Sequence, residues 1–419
     1  MAGPVASTRV SEDPAAGGAG DGHLRIAHVT NYQVPGYGYE EMQLALEQTS
    51  MGHEVVIIAS NYLHPLGLYT VLRKRFPSRQ VSPREEVHDG VRVLRLRAHE
   101  IGRRAWIHGL ESAIKSFDPD VVHVHNLLQF HAPRLALLRL RHQSRAAIVV
   151  DDHMHLGFMR GSLLGRVFYF VYRTIAQPIL SHYVDRYCAI ATDTADYLRE
   201  QCGVRAPITV VPLGVPVNLF RSDPGKRAQA RHRLDFADSD LVLIYTGKVI
   251  PEKGVHLLVE AVSQLADVSA KPVVLAVGDA AEGYATELVA RAGSVGVDLR
   301  LYPSVPYSDL PDWYACADIG VWPRQESMAI FEAMSMSLPV VISARSGLVA
   351  SVEPGTATTY APETPAGLAQ ALRQLLDPES RKRLGIQARQ FIEAGLSWHR
   401  SAELYLDVYR EAIAERATR

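Results

Sequence analysis

The sequence predicts an α/β protein built from two parallel-sheet domains that face each other across a cleft. Three observations predict it. The chain has 419 residues, more than one ordinary hydrophobic core organises. From Leu24 onward, short β-branched runs alternate with amphipathic helical patterns, the arrangement of βαβ units. The alternation is broken by a polar run, RSDPGKRAQARHRLDFADSD (221–240), and then begins again.

In the first half, LRIAHVT reads as a strand, EEMQLALEQTSMG as a helix ending near Gly52, and HEVVIIAS and VRVLRLR as strands. SAIKSF is a helix, DVVHVH a strand, PRLALLRLRHQ a helix and AAIVVDD a strand. YCAIAT and ITVVPLG close the half. After the polar run come LVLIYTG (strand), GVHLLVEAVSQLA (helix), PVVLAVG (strand), ATELVARAG (helix) and VDLRLYP (strand). DLPDWYACA (helix), IGVWP (strand), MAIFEAMSMS (helix) and PVVIS (strand) follow, and PAGLAQALRQLL and the segment after Ser397 end the chain as helices. Parallel sheets of this kind bind ligands beyond the carboxyl ends of their strands.

Composition narrows the function. A net charge of −1 argues against a dedicated nucleic-acid binder, which needs a strongly basic surface. Residues 1–215 carry 23 basic and 20 acidic side chains against 21 and 25 in the remainder, a small bias that hints at a peripheral membrane contact by the first half. Cys188, Cys202 and Cys316 form no paired framework or metal knuckle, which suits a reducing cytoplasm. Residues 1–22 are Ala-, Gly- and Pro-rich with no apolar centre and read as a disordered tail. Leu163 to Leu180 is the most apolar stretch, but Arg166, Arg173 and Pro178 make it a poor membrane span.

Two segments carry candidate chemistry. In TGKVIPEKG (246–254), Lys248 and Lys253 flank a loop at a strand's carboxyl end, a placement that suits a diphosphate; the alternative is two solvated surface lysines. In VWPRQESMAIFEAMSMSLPVVIS (321–343), Ser327 is a good N-cap for a helix beginning at Met328. The amides of Met328 and Ala329 would then favour an anion, and Glu332, about one turn in, would meet a hydroxyl. Alternatively, Ser327 only caps and Glu332 only answers the helix dipole.

Taken together, Gly-Lys-x-x-Pro-Glu-Lys-Gly, VGD (277–279), ADIGVWP and EAMSMSLPVV resemble the C-terminal domain of family-4 glycosyltransferases of the GT-B fold (group 1). RIAHVTNYQVPGYGYEEMQLALEQTSMGHEVVIIAS resembles that family's opening strand, glycine loop and helix. VVPLGVPVNLF resembles its hinge segment, with Leu213 and Asn218 at variant positions, and LSWHRSAELYLDVY its C-terminal helix. The resemblance covers residues 24 to about 410. It implies two Rossmann-like domains: an acceptor-binding domain at 23–215, a nucleotide-sugar-binding domain at 216–395, and a helix at 396–419 that crosses back.

The resemblance also implies roles. Lys248 and Lys253 bind the donor diphosphate, and Glu332 contacts its ribose. Leu301 and Tyr302 lie at the base-binding strand end, Gly36 and Gly38 in the loop facing the donor, and His153 touches the transferred sugar, with His155 a second candidate. The family's first glutamate falls on Arg324 and the loop after Pro323 is shortened. Glu326 is a candidate substitute, as is the helix start at Ser327 and Met328.

The implied activity is retaining transfer of a sugar from a nucleotide-diphosphate sugar to an unidentified acceptor hydroxyl, in glycan, glycolipid or glycosylated-metabolite synthesis, without metal or other cofactor. His123 and His125 share a strand face, and with Asp151, Asp152 and His153 they have a spacing compatible with a metal. The resemblance favours fixed positive charge instead. PRLALLRLRHQSR (133–145) is either a basic helix for anionic lipid or an ordinary solvated face. Two other functions fit the same fold: a nucleotide-sugar-binding or regulatory protein with impaired catalysis, and a nucleotide-sugar epimerase.

Overall fold

The structure is a computed structural model. It describes residues 22–418 except 37, 65–75, 77, 103, 155–162, 266–270, 325–326 and 347–351, and only the backbone of Leu164. The expected tail (all but Gly22), His155 and Glu326 therefore lie outside the described residues.

In the first half the strands are β1 (Arg25–Thr30), β2 (Glu54–Ser60), β3 (Arg84–His88), β4 (Val91–Leu96), β5 (Ala98–Ile101), β6 (Arg104–Ile107), β7 (Val121–His125), β8 (Ala147–Asp151), β9 (Arg186–Ala189) and β10 (Ile208–Val210). Eight form one sheet in the order β10-β9-β8-β7-β1-β2-β4-β3, and β5 and β6 make a separate hairpin. Only β3 runs antiparallel to its neighbour in the large sheet. The second half contains β11 (Asp240–Thr246), β12 (Lys271–Val277), β13 (Asp298–Tyr302), β14 (Ile319–Trp322), β15 (Val340–Ser343) and β16 (Thr358–Tyr360). They form an all-parallel sheet in the order β13-β12-β11-β14-β15-β16.

Helices cover both faces of each sheet, so β8, β11 and β12 are near-continuous apolar runs, and β1 and β7 are buried along almost their whole length with His28, His123 and His125 among their apolar residues. In each sheet the strand order reverses at one place, beside β1 and β7 in the first and beside β11 and β14 in the second. Crevices open at such points, and both lie at strand carboxyl ends.

The polar run at 221–240 holds an unexpected helix, Pro224–Arg233, started by Asp223, whose side chain accepts from the amides of Gly225 and Lys226. Charge holds it to the domain where an apolar stripe would normally do so. Arg227 and Arg231 pair with Asp318 and donate to the carbonyls of Ala317 and Cys316. The sequence pattern also missed the helices Thr192–Glu200 and Pro378–Gly395.

Two chain segments cross between the domains side by side. Val215 N donates to Leu396 O (2.8 Å) and Trp398 N to Val215 O (3.2 Å). A Cβ on Gly214 would lie 2.3 Å from Trp398 N, so only glycine permits this approach. The final helix, Trp398–Ala417, is capped by Ser397 and packs Tyr405, Leu406 and Tyr409 into the first domain's core beside Ile26, Val121 and Val149.

Candidate functional site

Two cavities adjoin, and Glu332 lines both. The smaller, about 230 Å3, is bounded by Thr246, Gly247, Lys248, Gly278, Asp279, Ser304 and Ala329. The larger, about 440 Å3, is bounded by Asn31, Gly38, Glu40, His125, His153, Tyr307 and Met328. The first belongs to the second domain alone. Both domains build the second.

Around the smaller cavity, β11 ends at Thr246 and the chain turns outward at Gly247. The Tyr245 hydroxyl donates to Lys248 O (2.7 Å) and fixes the turn that carries the exposed Lys248 side chain. Gly278 follows β12 so close by that a Cβ there would lie 1.8 Å from Gly247 O. Lys253 ends the short turn Pro251–Lys253, and Gly254 follows with φ 78°, in the left-handed region that favours glycine. The stem of Arg324 lies against this glycine, 3.0 Å from where its Cβ would be. The residue standing in for the family's first glutamate is thus beside the Lys253 turn.

The helix after β14 begins at Ala329, one residue later than expected, and has seven residues. Ser327 Oγ accepts from Ala329 N only at 3.4 Å. Met328 lines the larger cavity and Ala329 the smaller. Glu332 is buried in the helix's first turn. The Thr246 hydroxyl donates to Tyr314 (2.7 Å), which donates to Glu332 Oε2 (3.0 Å), and Tyr307 also reaches the carboxyl. Burial pushes the Glu332 carboxyl up to about 7, with the two tyrosine hydroxyls opposing.

In the larger cavity, His153 follows β8 and its Nε2 pairs with Glu40, the first residue of the helix Glu40–Ser50; Asp151 Oδ2 stands 3.7 Å away. Burial alone would lower the His153 pKa. The Glu40 carboxylate, with Asp151 behind it, outweighs that and holds the ring's pKa well above 6.5. The side chain remains 31% exposed, so an imidazolium faces the cleft.

Behind it lies a buried polar group. His123 Nδ1 faces the Tyr409 hydroxyl (2.7 Å), and Gln48 Nε2 donates to the same hydroxyl at 3.4 Å. With Gln48 so oriented, its Oε1 accepts from His28 Nε2 (2.8 Å), and His28 Nδ1 then accepts from His125 Nε2 (3.0 Å). His125 Nδ1 donates to Asp151 Oδ2 (2.8 Å), so His125 carries both protons. Its pKa is raised accordingly: burial would lower it, and Asp151 and Glu40 win. Tyr405 donates to Glu40 Oε1 (3.1 Å), which ties the crossing helix to the same group. Glu40, His125, Asp151 and His153 offer ligand atoms within 4.8 Å of one another, a set able to receive a divalent cation.

The structure thus brings Lys248, Met328, Ala329, Glu332, Gly38 and His153 to the cavity walls. Gly36 is exposed with φ 72° and, like Ser327 and Lys253, is outside the two linings. Leu301 packs on the core and Tyr302 against Trp313 (4.7 Å between rings), while Ser304 and Val305, just beyond, reach the smaller cavity. Sequence reading missed Glu40, Tyr307 and Asp279. Asp279 belongs to the VGD motif (277–279) and Glu40 to the helix start after the glycine loop, whereas nothing local marks Tyr307.

Residues 36–214 match the family described as glycosyl transferase 4-like domain, and residues 240–378 match glycosyl transferases group 1. The chain is 33% identical over 315 residues to D-inositol 3-phosphate glycosyltransferase 1 of Catenulispora acidiphila, covering 71% of this chain and 73% of that one. It is 30% identical over 331 residues to the D-inositol 3-phosphate glycosyltransferase of Streptomyces bingchenggensis, covering 74% and 71%. Among solved structures it resembles a glycosyltransferase of Rickettsia africae (TM-score 0.69, 18% identity, 93% of this chain and 98% of that one). It also resembles Anabaena HepE in complex with UDP and glucose (TM-score 0.64, 17% identity, 92% and 99%). These neighbours have the GT-B fold, two Rossmann-like domains about a cleft, as seen here.

Proposed function

The chain belongs to the group 1 glycosyltransferases, and from that premise we propose that it transfers a sugar, with retention of configuration, from a nucleotide-diphosphate sugar to an acceptor hydroxyl. One observation carries the reading: Glu332 is the shared wall between a cavity bearing Lys248 and one bearing His153. A nucleotide-diphosphate sugar laid across that wall puts its ribose near Glu332, its diphosphate near Lys248 and Lys253, and its sugar near His153. Anabaena HepE, with UDP and glucose bound, supports this class of donor.

The chemistry is electrostatic. As the bond from the anomeric carbon to the phosphate oxygen breaks, Lys248 and Lys253 take up the charge that develops on the leaving diphosphate. The acceptor oxygen bonds to the anomeric carbon from the same face, and its proton passes to the departing phosphate oxygen. No protein nucleophile and no metal is required. With Nε2 held by Glu40, the His153 imidazolium donates its remaining hydrogen bond to a sugar hydroxyl and orients the ring. The acceptor named for the relatives, D-inositol 3-phosphate, is the first to assay. The same reading places the chain in the cytoplasm, in contact with a membrane surface, in glycan, glycolipid or glycosylated-metabolite synthesis.

The test is release of nucleoside diphosphate from a panel of donors with and without acceptors. Acceptor-dependent release is expected. Donor binding with no turnover supports instead the impaired, nucleotide-sugar-binding alternative that Arg324 motivates, and donor isomerisation without acceptor supports an epimerase.

A further inference from the structure

The segment that sequence reading dismissed as a membrane span forms a helix with an unusual outer face. Leu163–Val171 is α-helical, Tyr172–Ala176 is a π turn, and Gln177–Leu180 resumes the α-helix. No helix among the described residues is long and apolar enough to cross a membrane. Yet Leu163, Val167, Val171, Ile175 and Ile179, spaced four apart, are each between 46% and 75% exposed. In a regular α-helix each step of four overshoots a full turn by about 40°, so such a series would spiral toward the buried side. The wider π turn takes back part of that drift and keeps the five on the outside. Phe168 and Phe170 widen the stripe, while Tyr169, Gln177 and Leu180 hold the inner face to the domain.

A helix apolar on both faces has to be covered by something. The charges around it select the cover. Between Val121 and Val184 the only acidic residues are Asp151 and Asp152, both buried. Arg166 and Arg173 are exposed on the helix, and Arg173 lies over the Phe170 ring at 5.7 Å. On the helix His131–Leu140 and just after it, Leu137, Leu140, Arg141 and Arg145 are exposed as well. Arg134 and Arg139, part of the basic run noted in the sequence, are instead taken by Glu111 and Asp185. Apolar side chains fringed by arginine, with no exposed acid anywhere between Val121 and Val184, match an anionic lipid surface, where the apolar stripe enters the acyl boundary and the guanidinium groups meet phosphate.

We propose that the helix 163–180 docks the protein onto anionic bilayers through the Leu163–Ile179 stripe. This deepens the membrane contact in the reading above.

The test is cosedimentation of the full chain, without donor or acceptor, with vesicles of pure phosphatidylcholine or of equimolar phosphatidylcholine and phosphatidylglycerol. The expected result is binding to the anionic vesicles that weakens with salt. Val167→Glu with Ile175→Glu, both exposed and therefore compatible with folding, reduces partitioning at least about tenfold, and Arg166→Glu with Arg173→Glu removes the preference for anionic lipid. No vesicle binding by the native chain, or binding unchanged in the Val167→Glu/Ile175→Glu variant, overturns the proposal. So does a self-associating native chain that the same variant disperses without any lipid binding. Donor-induced thermal shifts measured on the same variants keep this outcome separate from the transferase reading: they persist when only docking is lost.

Discussion

Gly38 of the first domain and Tyr307 of the second touch across the cleft, so closely that a Cβ on Gly38 would lie 2.5 Å from Tyr307 Cε1. The closed cleft therefore requires a missing side chain. Gly38→Ala is expected to lower kcat/KM by about 5- to 150-fold, because overpacking of about 1–3 kcal/mol falls on closure. Its melting temperature should stay near that of the native chain, and a smaller residue in Gly38→Ala/Tyr307→Leu should recover part of the rate. Steady-state kinetics and thermal melts on the three proteins check this.

Glu332 titrates near neutrality because burial raises its carboxyl from 4.5 to about 7. The folded state keeps a proton that the unfolded chain gives up, so stability due to this group falls as pH rises from about 4.5 to about 7 and is level above. Glu332→Gln removes a cost on the order of 3 kcal/mol above that window. The variant is expected to melt higher than the native chain at about pH 8 and to match it near pH 4.5. Donor affinity moves the other way: the ionised carboxylate accepts from ribose hydroxyls, so native affinity rises through pH 7 and the glutamine variant shows no such rise. Melts and donor titrations across pH decide it.

Glu40 holds His153 protonated, its pKa well above the ordinary 6.5. The pairing is complete below 6.5 and is lost only as pH rises through the folded-state value. The rate limb due to His153 in the native enzyme should therefore fall at high pH. In Glu40→Gln that fall should move toward 6.5, with Glu40→Asp intermediate. A pH–rate profile reads the shift directly, and an unmoved limb contradicts the role given to Glu40.

Much of this architecture was legible. Strands at 25–30, 121–125, 147–151, 240–246 and 340–343 announce themselves because parallel strands covered on both faces are mostly β-branched and apolar, even where His28, His123 and His125 interrupt them. Lys248 and Glu332 were legible because each sits beside a strand end or helix start. What stayed hidden had no local signal. Pro224–Arg233 is held by Arg227 and Arg231 on Asp318, so its sequence looks like a linker. The edge strand Arg84–His88 is polar and mostly exposed. Tyr307 and Glu40 acquire their places only when distant segments meet at Gly38 and His153.

The His153, Glu40, His125 and Asp151 group is close enough to bind a cation, yet the mechanism above needs none. Transfer is expected to be unchanged after exhaustive chelation. Loss of activity on chelation, with recovery on adding back one metal, contradicts fixed charge as the source of leaving-group stabilisation.

The most direct test of the central claim is a thermal-shift titration with UDP-, GDP- and dTDP-sugars on the native chain and on Lys253→Ala. One donor is expected to raise the native melting temperature, with the rise abolished in the variant. A Lys253→Ala protein that keeps the full donor-induced shift contradicts the placement of the diphosphate, and with it the account of how this site works.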